Sequence, residues 1–198
     1  MAKNKYSVPD AEKEGKILPN LLDLKTVQEI QQAELEGFLY AYKVLFDELS
    51  ANTRFTLEYI LKMHHLALGH LYAFAGKARA VNISKDGFMF PPSKFLDQSL
   101  KEFDKNMLQK LPDEYESREE LIKDIAKIHG EFLFIHPFRE GNGRTARLLA
   151  ALMAAKAGHN LPSFENFSKE KFNEYVAAVK SSAAGDYSKM EKIIASLF

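Results

Sequence analysis

The chain has 198 residues, 46% of them hydrophobic, with 27 basic and 27 acidic residues and no cysteine. This length and composition fit one globular domain with a substantial core, and they exclude a disordered chain. The formal net charge of zero argues against a nucleic-acid surface as the main function, and the absence of cysteine excludes disulfides and thiol chemistry.

The N-terminal segment differs in character from the rest of the chain. Residues 1–20 are polar and contain two prolines and a glycine, so we predict an irregular N-terminal arm there. Residues 21–198 show no internal repeat, no low-complexity segment and no boundary of composition. We therefore predict a single domain over 21–198.

The first half of this domain is predicted to hold two helices and a hairpin. Apolar residues recur at helical spacing over 26–48 and again over 56–74. Residues 79–91 alternate loosely between apolar and polar and turn at Asp86-Gly87, a pair typical of β-hairpins.

The second half of the chain returns to helical periodicity. The segment 143–157 is apolar nearly all round, so we expect it to be the buried central helix of the bundle. The other predicted helices cover 93–109, 117–135, 168–183 and 187–197. The predicted fold class is therefore mainly α.

Three histidines, His64, His65 and His70, fall in the second predicted helix. His64 and His65 point apart, and His65 and His70 are five residues apart, which does not place them on one face. We therefore expect ordinary helix histidines and no zinc site.

One loop between two predicted helices concentrates chemically capable side chains, because residues 136–147 read His-Pro-Phe-Arg-Glu-Gly-Asn-Gly-Arg-Thr-Ala-Arg. Gly141 and Gly143 allow unusual backbone dihedrals and the close approach of a bound group. The N–H groups of such a turn, and of the helix that begins there, form an anion site that suits phosphate. Arg144 and Arg147 share one face of that helix, and two guanidinium groups favour a polyphosphate.

The same loop offers a base and a metal ligand. The Asn142 amide can donate to a phosphate oxygen. Glu140 is a single hard ligand of the kind that holds Mg²⁺ together with waters and substrate phosphates. His136, with an unperturbed pKa of about 6.5, suits a general base that activates a hydroxyl for in-line attack on phosphorus. A polar loop that only caps a core helix would explain each residue alone but not their joint occurrence.

The loop resembles the signature of the Fic family, His-x-Phe-x-(Asp/Glu)-Gly-Asn-Gly-Arg-x-x-Arg. Every specified position is filled, by His136, Phe138, Glu140, Gly141, Asn142, Gly143, Arg144 and Arg147. Residues 72–87 are similar to the family segment that leads into its flap hairpin, and 185–188 resemble the end of the Fic core. The resemblance implies the Fic fold, a helical bundle around a buried central helix with a small β-hairpin flap.

The resemblance implies transfer of AMP from ATP to a serine, threonine or tyrosine hydroxyl of a target protein, with release of pyrophosphate. His136 would deprotonate the target hydroxyl, and Glu140 would hold Mg²⁺ between the α- and β-phosphates. Asn142 and the backbone of the two glycines would bind the α-phosphate. Arg144 and Arg147 would bind the β- and γ-phosphates.

The resemblance also implies how the loop and the target are held. Phe138 would pack inward and fix the loop. The flap would bind the target in extended form, as an added β-strand. The flap residues expected to contact the target are Asn82, Ile83, Ser84 and Lys85.

Related functions stay open at this point. Doc-like kinases transfer the γ-phosphate, but they depart from the glycine-rich motif, so the intact segment 141–144 favours AMP transfer. Transfer of other nucleotidyl or phosphocholine groups, and removal of AMP from a modified target, use related sites. The non-enzymatic alternative is a module that sequesters a nucleotide or a partner, and the complete catalytic set argues against it.

Regulation in many Fic proteins uses a helix bearing (Ser/Thr)-x-x-x-Glu-(Gly/Asn), whose glutamate pairs with the second motif arginine, here Arg147. Residues 32–37, Gln-Ala-Glu-Leu-Glu-Gly, match this pattern in part, and we interpret them as a solvated helix face. Residues 188–191, Ser-Lys-Met-Glu, are one residue too short. We therefore expect inhibition in trans by a small antitoxin-like protein, or none by this route.

The compartment is predicted from what the sequence lacks. No apolar stretch approaches about 18 residues, and no signal-peptide pattern is present at the N-terminus. We therefore expect a cytoplasmic protein with neither a membrane nor a nucleic-acid partner. A secretion signal that a specialised machinery recognises would not be identifiable from this sequence.

Overall fold

The computed structural model describes residues 17–85, 88–164 and 169–198. Within them, seven α-helices occur in chain order: α1 Val27–Asp47, α2 Leu57–Leu68, α3 Leu96–Asn106, α4 Arg118–Ile135, α5 Asn142–Lys156, α6 Lys169–Ser182 and α7 Ser188–Ala195. Short 3₁₀ turns flank α3, at Ser93–Phe95 and Leu108–Lys110. The prediction of a mainly α fold is confirmed.

A two-stranded antiparallel hairpin interrupts the helices, with β1 at Ser84–Lys85 and β2 at Phe88–Met89. Ser84 lies opposite Met89, and Lys85 lies opposite Phe88. The predicted turn at 86–87 lies outside the described residues, as does the arm over 1–16.

Polar residues begin the long helices at the predicted places. Thr26 starts α1 with a capping box, in which its hydroxyl accepts from the Glu29 N–H and the Glu29 carboxylate accepts from the Thr26 N–H. The hydroxyls of Thr56 and Ser117 likewise accept from backbone N–H groups in the first turns of α2 and α4.

The second helix ends earlier than predicted, at Leu68 and not at Phe74. Gly69, a poor helix former, follows directly, and the Leu71 and Tyr72 N–H groups turn back to the Leu68 carbonyl at 3.0 and 2.8 Å. The chain then runs through turns to Gly76, whose φ is +76°. This early end lets the 69–76 segment approach the loop at 136–141 that carries the motif.

Helix α5 is the buried centre of the bundle, as predicted, and packs against α1, α2 and α4. Its residues are buried on every face, including Ala146, Leu149 and Leu152. Burial of one such leucine contributes roughly 2 kcal/mol to folding. The N-terminus of α5 is thereby held at a fixed place, directly after the loop at 136–141.

Helices α1 and α2 cross closely at Gly37. A Cβ added there would lie 1.9 Å from the backbone oxygen of Ala67, so only glycine permits this approach. A ring nitrogen of His70 lies 3.2 Å from the Ala33 carbonyl and adds a polar contact at the same crossing. None of the described helices is long and apolar enough to cross a membrane.

Candidate active site

His136 ends α4 in the left-handed region, with φ 51° and ψ 60°, and its ring is nearly fully buried. Its Nδ1 lies 3.1 Å from the Leu133 carbonyl oxygen. A carbonyl oxygen only accepts hydrogen bonds, so Nδ1 carries a proton, and in the neutral form of the ring the lone pair lies on Nε2. The ring stacks on Phe90 of the hairpin, with centroids 4.0 Å apart. This arrangement fixes a base in one orientation.

The loop after His136 turns sharply into α5 at Gly141, whose φ is +82°. This left-handed conformation favours glycine, and a Cβ there would lie 2.9 Å from Cδ1 of Leu68, which would have to shift. Thr145 closes the turn, because its N–H and its hydroxyl both donate to the Gly141 carbonyl, at 2.9 and 3.0 Å. The first N–H groups of α5 have no acceptor within the helix, which makes this end an anion site.

Asn142 has a different role from the one expected. Its side chain is fully buried, its Oδ1 accepts from the Phe138 N–H at 2.8 Å, and its Nδ2 donates to the Phe138 carbonyl at 2.7 Å. The amide therefore folds the loop and does not point at a phosphate. Phe138 is fully buried and anchors the loop in the core. Backbone N–H groups are left as the donors for an α-phosphate.

The two motif arginines lie beside this helix end. A Cβ added at Gly143 would lie 3.4 Å from Nη1 of Arg147, so that guanidinium flanks the first turn of α5. Arg144 Nη2 donates to two carboxylates, Glu34 at 2.8 Å and Glu140 at 3.3 Å. Glu34 was not predicted as a site residue, although it lies on the inward face of α1, four residues after Ile30, which was a signal.

His64 of α2, which was predicted to be an ordinary helix histidine, contacts the loop directly. Its Nδ1 accepts from the Gly76 N–H at 2.8 Å, so Nε2 carries the proton and donates to the Glu140 carbonyl at 2.9 Å. Its ring stacks on Phe138 with centroids 3.7 Å apart. Burial lowers the pKa of His64 to about 4, which keeps the ring neutral at pH 7.

Arg79 joins the hairpin to the catalytic loop and was also missed. Its Nε donates to the His136 carbonyl at 2.8 Å, and its two terminal nitrogens donate to Val81 and Pro91 at 2.7 Å each. Its own N–H donates to the Pro137 carbonyl at 2.7 Å. Burial lowers the pKa of Arg79 to about 10, so the side chain stays charged at neutral pH.

A pocket of about 160 Å³ brings the predicted residues together with an apolar wall that was not predicted. The predicted group comprises His136, Glu140, Gly141, Gly143, Arg144 and Arg147. The wall comes from the hairpin and from α6, through Phe88, Phe90, Phe172, Tyr175, Val176 and Val179. The Tyr175 hydroxyl lies 2.5 Å from Nε2 of buried His129, which fixes this part of the wall.

The four flap residues that were predicted to contact the target lie in different environments. Asn82 Oδ1 accepts from the N–H of Ser93 at 2.8 Å and closes the base of the hairpin. Ile83 is fully buried and its side chain packs inward, so a contact of this residue with a target would be made by its backbone and stays a prediction. Ser84 and Lys85 form β1, and the side chain of Lys85 lies outside what the structure describes.

The exposed side chains within the partial inhibitory motif are Gln32, Leu35 and Glu36, whereas Ala33, Glu34 and Gly37 are buried, so the interpretation as a solvated helix face holds for only half of residues 32–37. Glu36 is exposed and accepts from Gln32 Nε2 at 2.7 Å. The glutamate of α1 that reaches the motif is Glu34, and it contacts Arg144, the first motif arginine.

The sequence model of the Fic/DOC family matches residues 54–154, more than half of the chain. The chain belongs to the Fic/DOC family. Protein adenylyltransferase VbhT of Bartonella schoenbuchensis is 30% identical over 158 residues, which cover 77% of this chain and 32% of that protein. Protein adenylyltransferase Fic of Nematostella vectensis is 32% identical over 104 residues, covering 52% of this chain and 23% of that protein. This Fic chain thus spans a third or less of the length of either relative.

Solved Fic domains share the fold. The N-terminal domain of the VirB-translocated effector Bep8 of Bartonella sp. 1-1C superposes with a TM-score of 0.76 at 18% identity, over 93% of this chain and 91% of that one. BepC of Bartonella tribocorum, with bound AMPPNP, gives 0.74 at 19% identity over 93% of each chain. These matches show the same helical arrangement.

Proposed function

We propose that this Fic domain transfers AMP from ATP to a hydroxyl group of a target protein and releases pyrophosphate. The observation that carries the proposal is the ring of His136, whose Nδ1 proton is held by Leu133 so that Nε2 is the basic nitrogen. The same pocket contains both motif arginines. The curated relatives are named protein adenylyltransferases, which supports this reaction.

ATP would lie along the pocket with its phosphates at the N-terminus of α5. The backbone N–H groups there would bind the α-phosphate, and Arg144 and Arg147 would bind the β- and γ-phosphates. The adenine would pack against the apolar wall that α6 provides. Solved relatives crystallised with bound AMPPNP and with bound ADP support a nucleotide in this fold.

Glu140 would hold Mg²⁺ at the phosphates. Its carboxylate lines the pocket and accepts from the Gly141 N–H at 2.8 Å, which fixes its orientation. The described residues bring together no group of three or more His, Cys, Asp or Glu side chains. One carboxylate fits Mg²⁺, which keeps waters and binds largely through substrate phosphates. The cation would supply charge neutralisation at the α- and β-phosphates.

The reaction has one proton transfer and one exchange of bonds at phosphorus. The target hydroxyl gives its proton to Nε2 of His136 as its oxygen attacks the α-phosphorus. A phosphorus–oxygen bond to the target forms, and the bond from the α-phosphorus to the oxygen bridging to the β-phosphate breaks. Pyrophosphate leaves with that oxygen, and Arg144 and Arg147 balance its charge. The product is a phosphodiester between AMP and the target.

The hairpin would present the target hydroxyl to His136. Stacking of Phe90 on the His136 ring places the hairpin directly beside the base. An extended target segment would pair with the hairpin edge through its backbone, since Ile83 is buried and contributes no exposed side chain. Asn82, Ser84 and Lys85 would flank that segment.

An inhibitory partner protein has a suitable surface in the groove next to the arginines. Leu35, Leu39 and Tyr42 of α1 are exposed there, facing residues 161–164. Both motif arginines line this groove as well as the nucleotide pocket. An amphipathic helix could pack its apolar face against the exposed residues of α1 and pair a glutamate with the second motif arginine. That pairing would block binding of the γ-phosphate.

The inhibitor site is tested by Leu39→Lys, which should abolish inhibition by such a partner and leave the uninhibited rate unchanged. Leu39 does not line the nucleotide pocket, so its substitution should not change the basal activity. A rise in the activity of the chain alone on Glu36→Gly would instead indicate internal inhibition and contradict inhibition in trans.

The proposed reaction is tested by incubating the purified chain with cell lysate, Mg²⁺ and ATP labelled either on the α- or on the γ-phosphate. Adenylyl transfer predicts protein bands labelled from α-ATP alone and absent with His136→Ala. Bands labelled from γ-ATP and lost in the same variant would identify a kinase and overturn the proposal.

A further inference from the structure

A buried glutamate outside the family motif contacts the first motif arginine. Glu34 of α1 is only 7% exposed, and both of its carboxylate oxygens are held. Oε2 accepts from Arg144 Nη2 at 2.8 Å, and Oε1 accepts from the Tyr72 hydroxyl at 2.8 Å. This carboxylate therefore has one fixed orientation on a core helix.

The Arg144 guanidinium is shared between two carboxylates. It lies closer to Glu34, at 2.8 Å, than to Glu140, at 3.3 Å. The Phe38 ring covers it from α1, with the guanidinium carbon 4.8 Å from the ring centroid. Three elements, α1, the loop and α5, thus determine where this arginine points.

We propose that Glu34 is a positioning residue of the phosphate site, acting through Arg144. It holds the guanidinium beside the anion site and prevents it from pairing with Glu140 alone. Glu140 thereby keeps its carboxylate for the cation that accompanies the nucleotide. This inference rests on the proposed function, because it assumes that Arg144 binds the outer phosphates of ATP.

Two features indicate that Glu34 orients Arg144 toward the substrate and does not hold it away from the substrate. Arg144 has five N–H donors, and the contacts to both carboxylates use one terminal nitrogen, which leaves other donors for phosphate. Glu34 is fixed by Tyr72 on a packed helix, so it does not need to move when a nucleotide binds. Its negative charge is compensated at short range by Arg144 itself.

The test measures equilibrium binding of Mg²⁺·ATP and of AMP to the wild type, to Glu34→Gln and to the matched control Glu36→Gln. Glu34→Gln keeps the shape of the side chain and an oxygen for Tyr72 but loses the charge. We expect its affinity for ATP to fall about tenfold and its affinity for AMP to stay unchanged, since AMP lacks the outer phosphates. Glu36 is exposed on the same helix, so its variant should match the wild type.

A double-variant cycle separates this role from a general structural one. In an Arg144→Ala background, Glu34→Gln should weaken ATP binding no further, because the residue through which it acts is gone. If Glu34→Gln does not fold, Tyr72→Phe, which removes one hydrogen bond to the carboxylate, should weaken ATP binding severalfold and leave AMP binding unchanged.

Two results would overturn the role of Glu34. One is ATP binding by Glu34→Gln that equals or exceeds that of the wild type. The other is an equal loss of ATP and AMP binding, which would indicate a distorted pocket. Absence of ATP binding by the wild type would instead remove the proposed function itself, and this inference with it.

Discussion

Nε2 of His64 donates a hydrogen bond to the backbone oxygen of Glu140, 2.9 Å away. This contact joins core helix α2 to the loop that carries the catalytic residues. The same ring stacks on Phe138 and accepts from the Gly76 N–H, so one buried histidine contacts the loop at two points and joins it to the segment that follows α2. The arrangement requires a neutral ring, because Nδ1 must accept while Nε2 donates.

The requirement for neutral buried rings predicts how stability changes with pH. Burial lowers the pKa of His64 to about 4 and that of His129 to about 3, whereas an unfolded histidine titrates near ~6.5. Between about pH 6.5 and 4 the unfolded chain therefore binds more protons, and the free energy of unfolding falls as the pH falls. From pH 7 to pH 5 we expect a loss of about 2 kcal/mol for each ring, measured by urea unfolding.

Single histidine variants check the origin of this loss. His64→Gln should show about half of the wild-type loss between pH 7 and pH 5, because only His129 still titrates in this way. His159→Gln, at the end of α5, keeps both buried rings and should show the full loss. A wild-type free energy of unfolding that does not change over this range would contradict the assignment.

The base role of His136 predicts a separation of catalysis from binding. His136→Ala should lower the rate of AMP transfer about 10²–10⁴-fold, the usual contribution of a general base. The dissociation constant for ATP should stay close to that of the wild type, because the proposed phosphate site lies at 141–147. Rates of label transfer and equilibrium titration with ATP give the two quantities. Loss of ATP binding in parallel with activity would place His136 in the nucleotide site instead.

The position of Arg79 predicts that the hairpin depends on one side chain. Arg79→Lys should destabilise the fold by about 2 kcal/mol, because one ammonium cannot serve carbonyls of both the hairpin and the catalytic loop. Hydrogen exchange at the Phe90 N–H, which bonds the Ile83 carbonyl at 3.2 Å, should become faster. The exposed Arg54→Lys serves as the control. Unchanged exchange at Phe90 would show that the hairpin is held by other contacts.

The close crossing of α1 and α2 at Gly37 predicts that one added methyl group strongly lowers the free energy of unfolding. Gly37→Ala should lower the free energy of unfolding by about 2–4 kcal/mol, since the added Cβ meets the Ala67 backbone oxygen and the helices must separate. The neighbouring exposed change Glu36→Ala should stay within about 0.5 kcal/mol of the wild type. Denaturant unfolding of both variants gives the comparison, and a neutral Gly37→Ala would show that α1 sits elsewhere.

Most of the helices could be predicted because their signals are local. The predicted helix 26–48 is found at Val27–Asp47, where the Thr26 cap and the apolar spacing agree. The buried centre of the bundle followed from the apolar run of α5 alone. The second helix was predicted too long because apolar residues continue past Gly69, where turns replace the helix.

The contacts that shape the site could not be predicted, because they join residues far apart in sequence. Glu34 and Arg144 are 110 residues apart, and His64 and Glu140 are 76 apart. Periodicity places Glu34 and His64 on the inward faces of α1 and α2 but does not name their partners. The motif also misled at Asn142, because an amide can serve a phosphate or the backbone, and only the folded loop shows that it bonds Phe138.

The central claim is that His136 activates a protein hydroxyl that takes AMP from ATP. The most direct measurement is mass spectrometry of lysate proteins after reaction with ATP carrying heavy isotopes in its adenine ring. With the wild type, and not with His136→Ala, a hydroxyl side chain should gain the mass of adenylate, including the heavy atoms. A gain of phosphate alone, without the isotope label, or an adenylate gain that persists in the variant, would contradict it.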